Sequence, residues 1–288
     1  MNGIININKP QGITSFDVIR KLRKILSIRK IGHTGTLDPL ATGVLIVCVG
    51  KATKLVQDIE KKEKEYIAEF DLGYKTDTYD IQGKTLDKVD NFSVTKEELE
   101  TVLKNYIGDI KQVPPMYSAI KINGEKLYEL ARRGETIERA ARDISIFSLE
   151  LLEFNGKKVK IKCVVSKGTY IRSLIYDIGE DLKTFATMTS LIRTKVGNEN
   201  IDNSFTLETV ESLKEKEDFS FLYDIETYFN YPNFSISGDK NKKLFLNGNT
   251  LITPDVKDGL YRVYDSETNI FLGLANVISE RLKAYKYY

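Results

Sequence analysis

Histidine and cysteine are almost absent from this chain. His33 is its only histidine, and Cys48 and Cys163 are its only cysteines. A multi-histidine metal site is excluded, and without a CxxC pair or a Cys/His cluster a common zinc site has no ligands. A Ser-His-Asp triad could be built only around His33. Both cysteines stand in apolar, strand-like runs, IVCVG and KIKCVVS, where a buried reduced thiol is expected rather than a disulfide. Nucleotide motifs are missing too. No GxGxxG occurs, and GVLIVCVGKA at 43–52 has neither the spacing nor the final Ser/Thr of a phosphate-binding loop. The N-terminus MNGIININKPQG lacks a basic segment followed by a long apolar one, so no signal peptide is expected. The longest apolar run, residues 44–49, is too short to cross a bilayer. No membrane role is expected, and the cytoplasm is the expected location.

Charge of one sign is also scarce. The 43 basic and 41 acidic residues leave a net charge of +2, too mild to announce nucleic acid as a partner. Distribution says more. Arg20, Lys21, Arg23, Lys24, Arg29 and Lys30 follow one another with no acid between them. With 288 residues, 41% hydrophobic and 29% charged, the chain can fold one large domain and one small one around real cores.

Thr14 and Asp17 form a capping-box pattern that opens a helix. Phe16, Ile19, Leu22 and Leu26 recur on its apolar face, with Arg20, Lys21 and Lys24 opposite. Strands are expected over 3–8, 44–49, 66–72, 116–122, 143–154, 158–166 and 190–196. Helices are expected over 51–59, 95–106, 125–133 and 170–182. Asn123-Gly124 and Asn155-Gly156 are turn signals, the second joining a hairpin. Residues 198–220 carry little pattern. Past Tyr231-Pro232, Gly238, Gly248, Gly259 and Gly273 punctuate short strand-like pieces, the texture of a small β-rich module. Helices mixed with hairpin-joined strands indicate an α+β fold.

Between the basic helix and the buried run at 44–49 lies GHTGTLDPLATG, residues 32–43. Its glycines and Pro39 suit a rigid platform with unusual dihedrals. On local grounds alone, Asp38 beside Pro39 reads as a turn residue satisfied by backbone amides. The wider pattern points elsewhere. GHTGTLDPLATGVL resembles the signature of the TruB family of tRNA pseudouridine-55 synthases. Further blocks follow the same family in order over residues 9–193: Lys9-Pro10-Gln11-Gly12; Lys64 with Tyr66; Leu72-Gly73, Thr76-Asp77-Thr78, Asp80 and Gly83; Gln112 to Ala119 with Lys121, Gly124, Leu127 and Tyr128; Ser166 to Leu174 with Asp177 and Gly179; and Leu191 with Arg193. Ile46 departs from the proline of many relatives.

The resemblance implies a pseudouridine-synthase-type central mixed, mainly antiparallel sheet flanked by helices in a catalytic domain over 1–230. Within it, 116–142 corresponds to an RNA-clamping insertion. A small PUA-like RNA-binding domain is implied over 231–288. The implied reaction is isomerisation of uridine 55 in the T loop of tRNA, by a monomer needing no protein partner. The N1–C1′ bond breaks, the base turns, and C5 joins C1′. Nothing is oxidised, reduced or hydrolysed, so no cofactor and no metal are expected.

A carboxylate beside an electron-poor sugar carbon is what such chemistry needs, as in retaining glycosidases. A mutase must keep its detached base and exclude water, so a single carboxylate is expected where a glycosidase uses two. The resemblance implies Asp38 as that carboxylate, Arg172 against it, and Tyr66 stacked on the uracil. Tyr170 and Leu191 line the same pocket. His33 fills the place the uridine vacates, with an acid/base role as its rival. Attack on C1′, attack on the base and a glycal route all remain open for Asp38. Lys9, Arg20, Lys21, Lys24, Arg29, Lys30, Lys121, Arg132 and Arg193 are expected to meet the RNA. The Lys/Tyr-rich end, 283–288, is expected either to reach the acceptor stem or to fray.

Overall fold

Along Lys64–Leu72 every second side chain is buried and its neighbours are half-buried, the period-two pattern of a strand fully covered on one face. In the computed structural model, which describes residues 1–287, this strand lies at the centre of a nine-stranded sheet. The order across it is Gly3–Lys9, Thr42–Val49, Ala186–Val196, Lys64–Leu72, Lys158–Val165, Arg142–Phe154 and Gly108–Gln112. Ile31–His33 pairs beside Thr42–Val49, and Glu199–Asn200 beside Ala186–Val196. All pairings in this sheet but one are antiparallel. The exception joins Thr42–Val49 to Ala186–Val196 through Ile192 opposite Thr42 and Arg193 opposite Gly43. It lies at the end of the glycine-bearing loop.

Helices Ser15–Leu26, Lys96–Asn105 and Ile171–Asp181 contribute Leu22, Leu103 and Ile175 to one continuous core with Ile5, Val47, Phe70 and Ile161 of the sheet. The first two open with capping boxes, Thr14 with Asp17 as expected and Thr95 with Glu98. A second cluster, Ile4, Val44, Ile46, Cys48, Leu55 and Ile59, takes the alternate side chains of the first strands. Ile46, where many relatives carry proline, is fully buried there. Both cysteine thiols are buried and unbonded, and burial pushes each up to about 12.

A second, five-stranded sheet runs Asn233–Ile236, Gly259–Asp265, Phe271–Ile278, Arg281–Tyr287 and Thr250–Ile252. It has its own core of Ile236, Phe245, Val263, Val277 and Leu282. Leu274 of this sheet and the preceding Phe229 join the cluster around Ile46. Lys286 reaches Asp58 of the helix Val56–Glu60 at 3.8 Å. The last strand is therefore paired and its lysine turned inward; Tyr288 of the expected terminal patch lies outside the described residues. The architecture is the expected α+β one, a mixed, mainly antiparallel sheet flanked by helices with a small β-rich module behind.

Several local expectations are corrected. Phe16 is 59% exposed; Val18 takes the core position instead, beside Ile19, Leu22 and Leu26. Only Lys121–Ile122 and Glu125–Lys126 pair near the Asn123-Gly124 turn. Residues 116–120 stay irregular because their backbone groups bond to Arg172 and to local turns. The strand expected at 190–196 begins at Ala186. Residues 51–59 split between a 3-10 turn, Gly50–Leu55, and the short helix Val56–Glu60. Helices Leu207–Glu215 and Asp239–Leu246 lie where polar composition hid them, the second burying only Phe245.

Candidate active site

The loop at 32–43 is held from several directions. Thr34 N donates to Ile46 O at 3.0 Å, Gly12 N to Pro39 O at 2.8 Å and Ala41 N to Asp38 O at 3.1 Å. Ser15 exchanges two hydrogen bonds with the backbone of Leu37, at 2.8 and 3.0 Å. Arg193 donates from Nε to Val44 O at 2.7 Å and from Nη2 to Gly35 O at 3.1 Å. Gly43 has φ +98°, and a Cβ there would stand 2.2 Å from Arg193 O, so only glycine permits this approach. Leu37, Leu40 and Ala41 are buried. Between them the Asp38 side chain is left 35% exposed.

The local reading of Asp38 as an ordinary turn residue fails here. Its carboxylate meets Arg172, Nε to Oδ2 at 2.9 Å. Arg172 is 4% exposed, and its guanidinium is committed on every side. Nη1 donates to Thr78 O at 2.8 Å and Nη2 to Tyr117 O at 2.9 Å. Asp80, a residue the site reading left out, approaches the same Nε at 3.7 Å. Asp80 is 5% exposed. It accepts from Thr78 Oγ1 at 2.7 Å and Gln82 N at 3.0 Å, and burial raises its carboxyl above the usual range. A buried guanidinium between two carboxylates, with each of its three nitrogens engaged, is a rigid assembly, since each partner would be costly to leave alone. Asp80 and Gln112 both stand in the motif blocks, which was the available signal. Gln112 clasps the Tyr170 peptide, donating to its carbonyl at 3.0 Å and accepting from its amide at 2.8 Å, and so fixes the start of the helix that carries Arg172.

Tyr66 and Leu191 lie in the core of the central sheet, and the Tyr170 hydroxyl stands near enough to Asp38 and Arg172 to feel both charges. Tyr66, 8% exposed, pairs with Arg193 across the sheet, and Leu191 pairs with Ala68. Leu37, Tyr66, Ile171 and Leu191 belong to one continuous core. Burial pushes the Tyr170 hydroxyl above its usual range, while Arg142 and Arg172 pull it down. His33 is half-buried, and its Nδ1 has no hydrogen-bond partner among the described residues. Burial, helped by the Arg193 charge, lowers its imidazole below the usual range, so it is neutral at pH 7.

A family model described as "TruB family pseudouridylate synthase (N terminal domain)" matches residues 23–171. Two C-terminal models of tRNA pseudouridylate synthase B and of pseudouridine synthase II TruB match 172–227 and 238–286. The chain is 56% identical to "tRNA pseudouridine synthase B" of Fusobacterium nucleatum subsp. nucleatum, covering all of both chains. It is 46% identical to the protein of that name from Clostridium novyi, covering 99% of each. The chain belongs to the TruB family. Its fold is also similar to a chain in an H/ACA RNP bound to a substrate RNA containing 2′-deoxyuridine, with TM-score 0.73 and 25% identity over 99% of this chain and 84% of that one.

In this TruB-family chain the basic candidates divide into two groups. Lys9 and Arg193, expected to meet RNA, are instead buried. Lys9 Nζ donates to Pro10 O at 2.8 Å and Ile13 O at 2.7 Å, stitching the turn before the basic helix. Burial lowers it to about 8, with Asp38 opposing and Arg193 assisting. Both cations face inward onto backbone carbonyls, Lys9 onto the turn before the helix and Arg193 onto the glycine-bearing loop. Arg20, Lys21, Lys24, Arg29 and Lys30 are exposed on or just after the helix Ser15–Leu26, as are Lys121 and Arg132 on the insertion. Arg20 pairs with Asp17, and Arg132 lies over the Tyr128 ring at 5.3 Å. Lys21 also offsets Glu208 of the neighbouring helix. Among the described residues no group of His, Cys, Asp or Glu is placed to hold a metal ion, and no helix is long and apolar enough to cross a membrane.

Proposed function

We propose that this TruB-family isomerase converts uridine 55 in the T loop of tRNA to pseudouridine, with Asp38 as the reacting carboxylate. The observation that carries the reading is the 2.9 Å contact between Arg172 and the half-exposed carboxylate of Asp38, at the tip of the family's signature loop. A uridine must leave its stack to reach that carboxylate, a cost of a few kcal/mol. Tyr66, Tyr170 and Leu191 supply the stacking and apolar contact that offset it.

Asp38 then stabilises the sugar while N1–C1′ breaks, and the base, held without hydrolysis, turns and bonds through C5. The proton lost from C5 balances the one gained at N1, so the product is an isomer and no co-reactant is consumed. Asp80 is no second acid for this chemistry: it is buried behind Arg172 and already bonded to Thr78 and Gln82. The buried Nδ1 of His33 has no hydrogen-bond partner among the described residues to orient the ring for proton transfer, which supports the space-filling role over the acid/base one. The exposed cations at 20–30 and on the 116–142 insertion fit the RNA backbone, and the module from 231 onward extends the RNA-binding surface. The enzyme works as a monomer, without a protein partner, in the cytoplasm where tRNA is made.

The test is to incubate the purified chain, alone and metal-free, with unmodified tRNA and map pseudouridine at nucleotide resolution. Product at position 55 is expected, with Asp38→Asn abolishing it while tRNA binding stays within a few-fold. Product from that variant would remove Asp38 from the chemistry. Dependence on added protein or guide RNA would instead mean a partner-directed isomerase with another RNA target and would overturn the reading.

A further inference from the structure

The helix Ser15–Leu26 leaves one aromatic ring outside the protein. Phe16 is exposed although Val18, Ile19, Leu22 and Leu26 of the same helix are buried. A single exposed apolar side chain is ordinary and by itself means nothing. The surroundings of this one are not ordinary. The Arg23 guanidinium lies over its ring, 5.8 Å from the centroid. Positions 16, 20 and 23 fall on one stripe of the helix, so Arg20 flanks the ring as well. The residue before it, Ser15, is fastened by two hydrogen bonds to Leu37, and Leu37 is bonded to Asp38. Consecutive Cα atoms are about 3.8 Å apart. Two chain steps and one hydrogen bond thus link Phe16 to Asp38 through the backbone.

We propose that Phe16, bracketed by Arg20 and Arg23, is a stacking platform for a nucleobase of the substrate RNA that flanks the extruded uridine. The inference rests on the reading of Asp38 as the carboxylate that receives that uridine. His33 covers the gap left within the stack, and an exposed ring on the neighbouring helix offers a flanking base a further face without reading sequence, since every base has a π face. The two arginines suit the flanking phosphates. Arg23, on its flexible stem, covers the ring until a base arrives and then serves the backbone. The exposed cations from Arg20 to Lys30, with no acid between them and only Arg20 shared with Asp17, favour RNA as the occupant over an apolar segment of another protein.

The chain contains no tryptophan, so Phe16→Trp creates a sole indole at this position. Its emission is expected to be quenched on titration with an unmodified tRNA T-arm stem-loop, with Kd within about twofold of the parent. Phe16→Ala and Phe16→Leu are both expected to raise Kd about tenfold, in line with the loss of one stacked base. The loss should fall on Kd rather than on the single-turnover rate at saturating RNA, and melting temperature should not drop, because the ring lies outside the core. An unquenched indole, or Phe16→Leu binding as tightly as the parent, would overturn the platform. A parent that makes no pseudouridine defeats the functional reading instead, a failure seen in the activity assay and not in the fluorescence.

Discussion

Arg172 Nε stands 2.9 Å from Asp38 Oδ2, while the other two nitrogens of the same guanidinium hold the carbonyls of Thr78 and Tyr117. One side chain therefore joins the signature loop, the turn at 78–80 and the base of the 116–142 insertion. Lysine keeps the charge but has no planar fork. Arg172→Lys is expected to lower single-turnover pseudouridine formation by about 10²-fold or more, comparable with removing one preorganised donor elsewhere. Leaving a buried carbonyl unpaired costs about 1–3 kcal/mol, so melting temperature should fall by several degrees. A variant with parental rate and stability would mean that the guanidinium geometry is incidental.

Gly43 tests the floor of the loop. Alanine there would drive its Cβ into the Arg193 carbonyl, in a backbone region that L-residues avoid. Gly43→Ala is expected to destabilise the protein by at least about 2 kcal/mol, read by denaturant titration. Activity should fall with it, because Arg193 braces Gly35 and Val44 on both sides of Asp38. A stable, active variant would show that the parallel pairing at Gly43 does not set the loop.

Salt dependence separates the two kinds of cation. A lysine that neutralises a phosphate contributes about one unit to the slope of log K against log salt. Lys24→Ala, on the exposed helix face, is expected to reduce that slope for tRNA binding. Lys9→Met is expected to leave it unchanged and to lower stability instead, since Pro10 O and Ile13 O lose their donor. A reduced slope for Lys9→Met would restore that residue to the RNA surface.

Lys9 also marks where sequence reading stops. The resemblance in the motif blocks pointed to Asp38 and Arg172, and the fold brings these two into contact, while Tyr66 and Leu191 take places in the sheet core. Motif membership did not say which way a cation faces. Lys9 and Arg193 turned inward onto backbone carbonyls, Lys9 onto the turn at 10–13 and Arg193 onto the glycine-bearing loop, that long donors reach. Phe16 failed for a related reason: helical periodicity allows it or Val18 on the apolar stripe, and packing chooses. Period-two alternation made Lys64–Leu72 legible. The helix Asp239–Leu246 was illegible because a single buried ring, Phe245, holds it. Asp80 stood in view in its motif block, but its place against Arg172 needs a fold that brings together residues 92 positions apart.

Asp177 offers a test by pH. It lies half-buried on the helix Ile171–Asp181, and burial, together with the charges of Asp181 and Glu180, raises its carboxyl to about 6. No cation stands within ion-pair distance of it among the described residues. The unfolded chain releases this proton near the ordinary aspartate value of about 3.9. Between that pH and about 6 the folded protein therefore holds a proton that the unfolded chain has lost, and stability falls as pH rises through the window. Above it, the full cost of a crowded, half-buried charge is present. Asp177→Asn keeps the shape and removes the charge, so its melting temperature should exceed that of the parent at pH 7.5. The advantage should shrink below pH 6 and vanish near pH 4. A variant less stable at pH 7.5 would mean that ionised Asp177 serves a partner that outweighs its repulsion from Glu180 and Asp181.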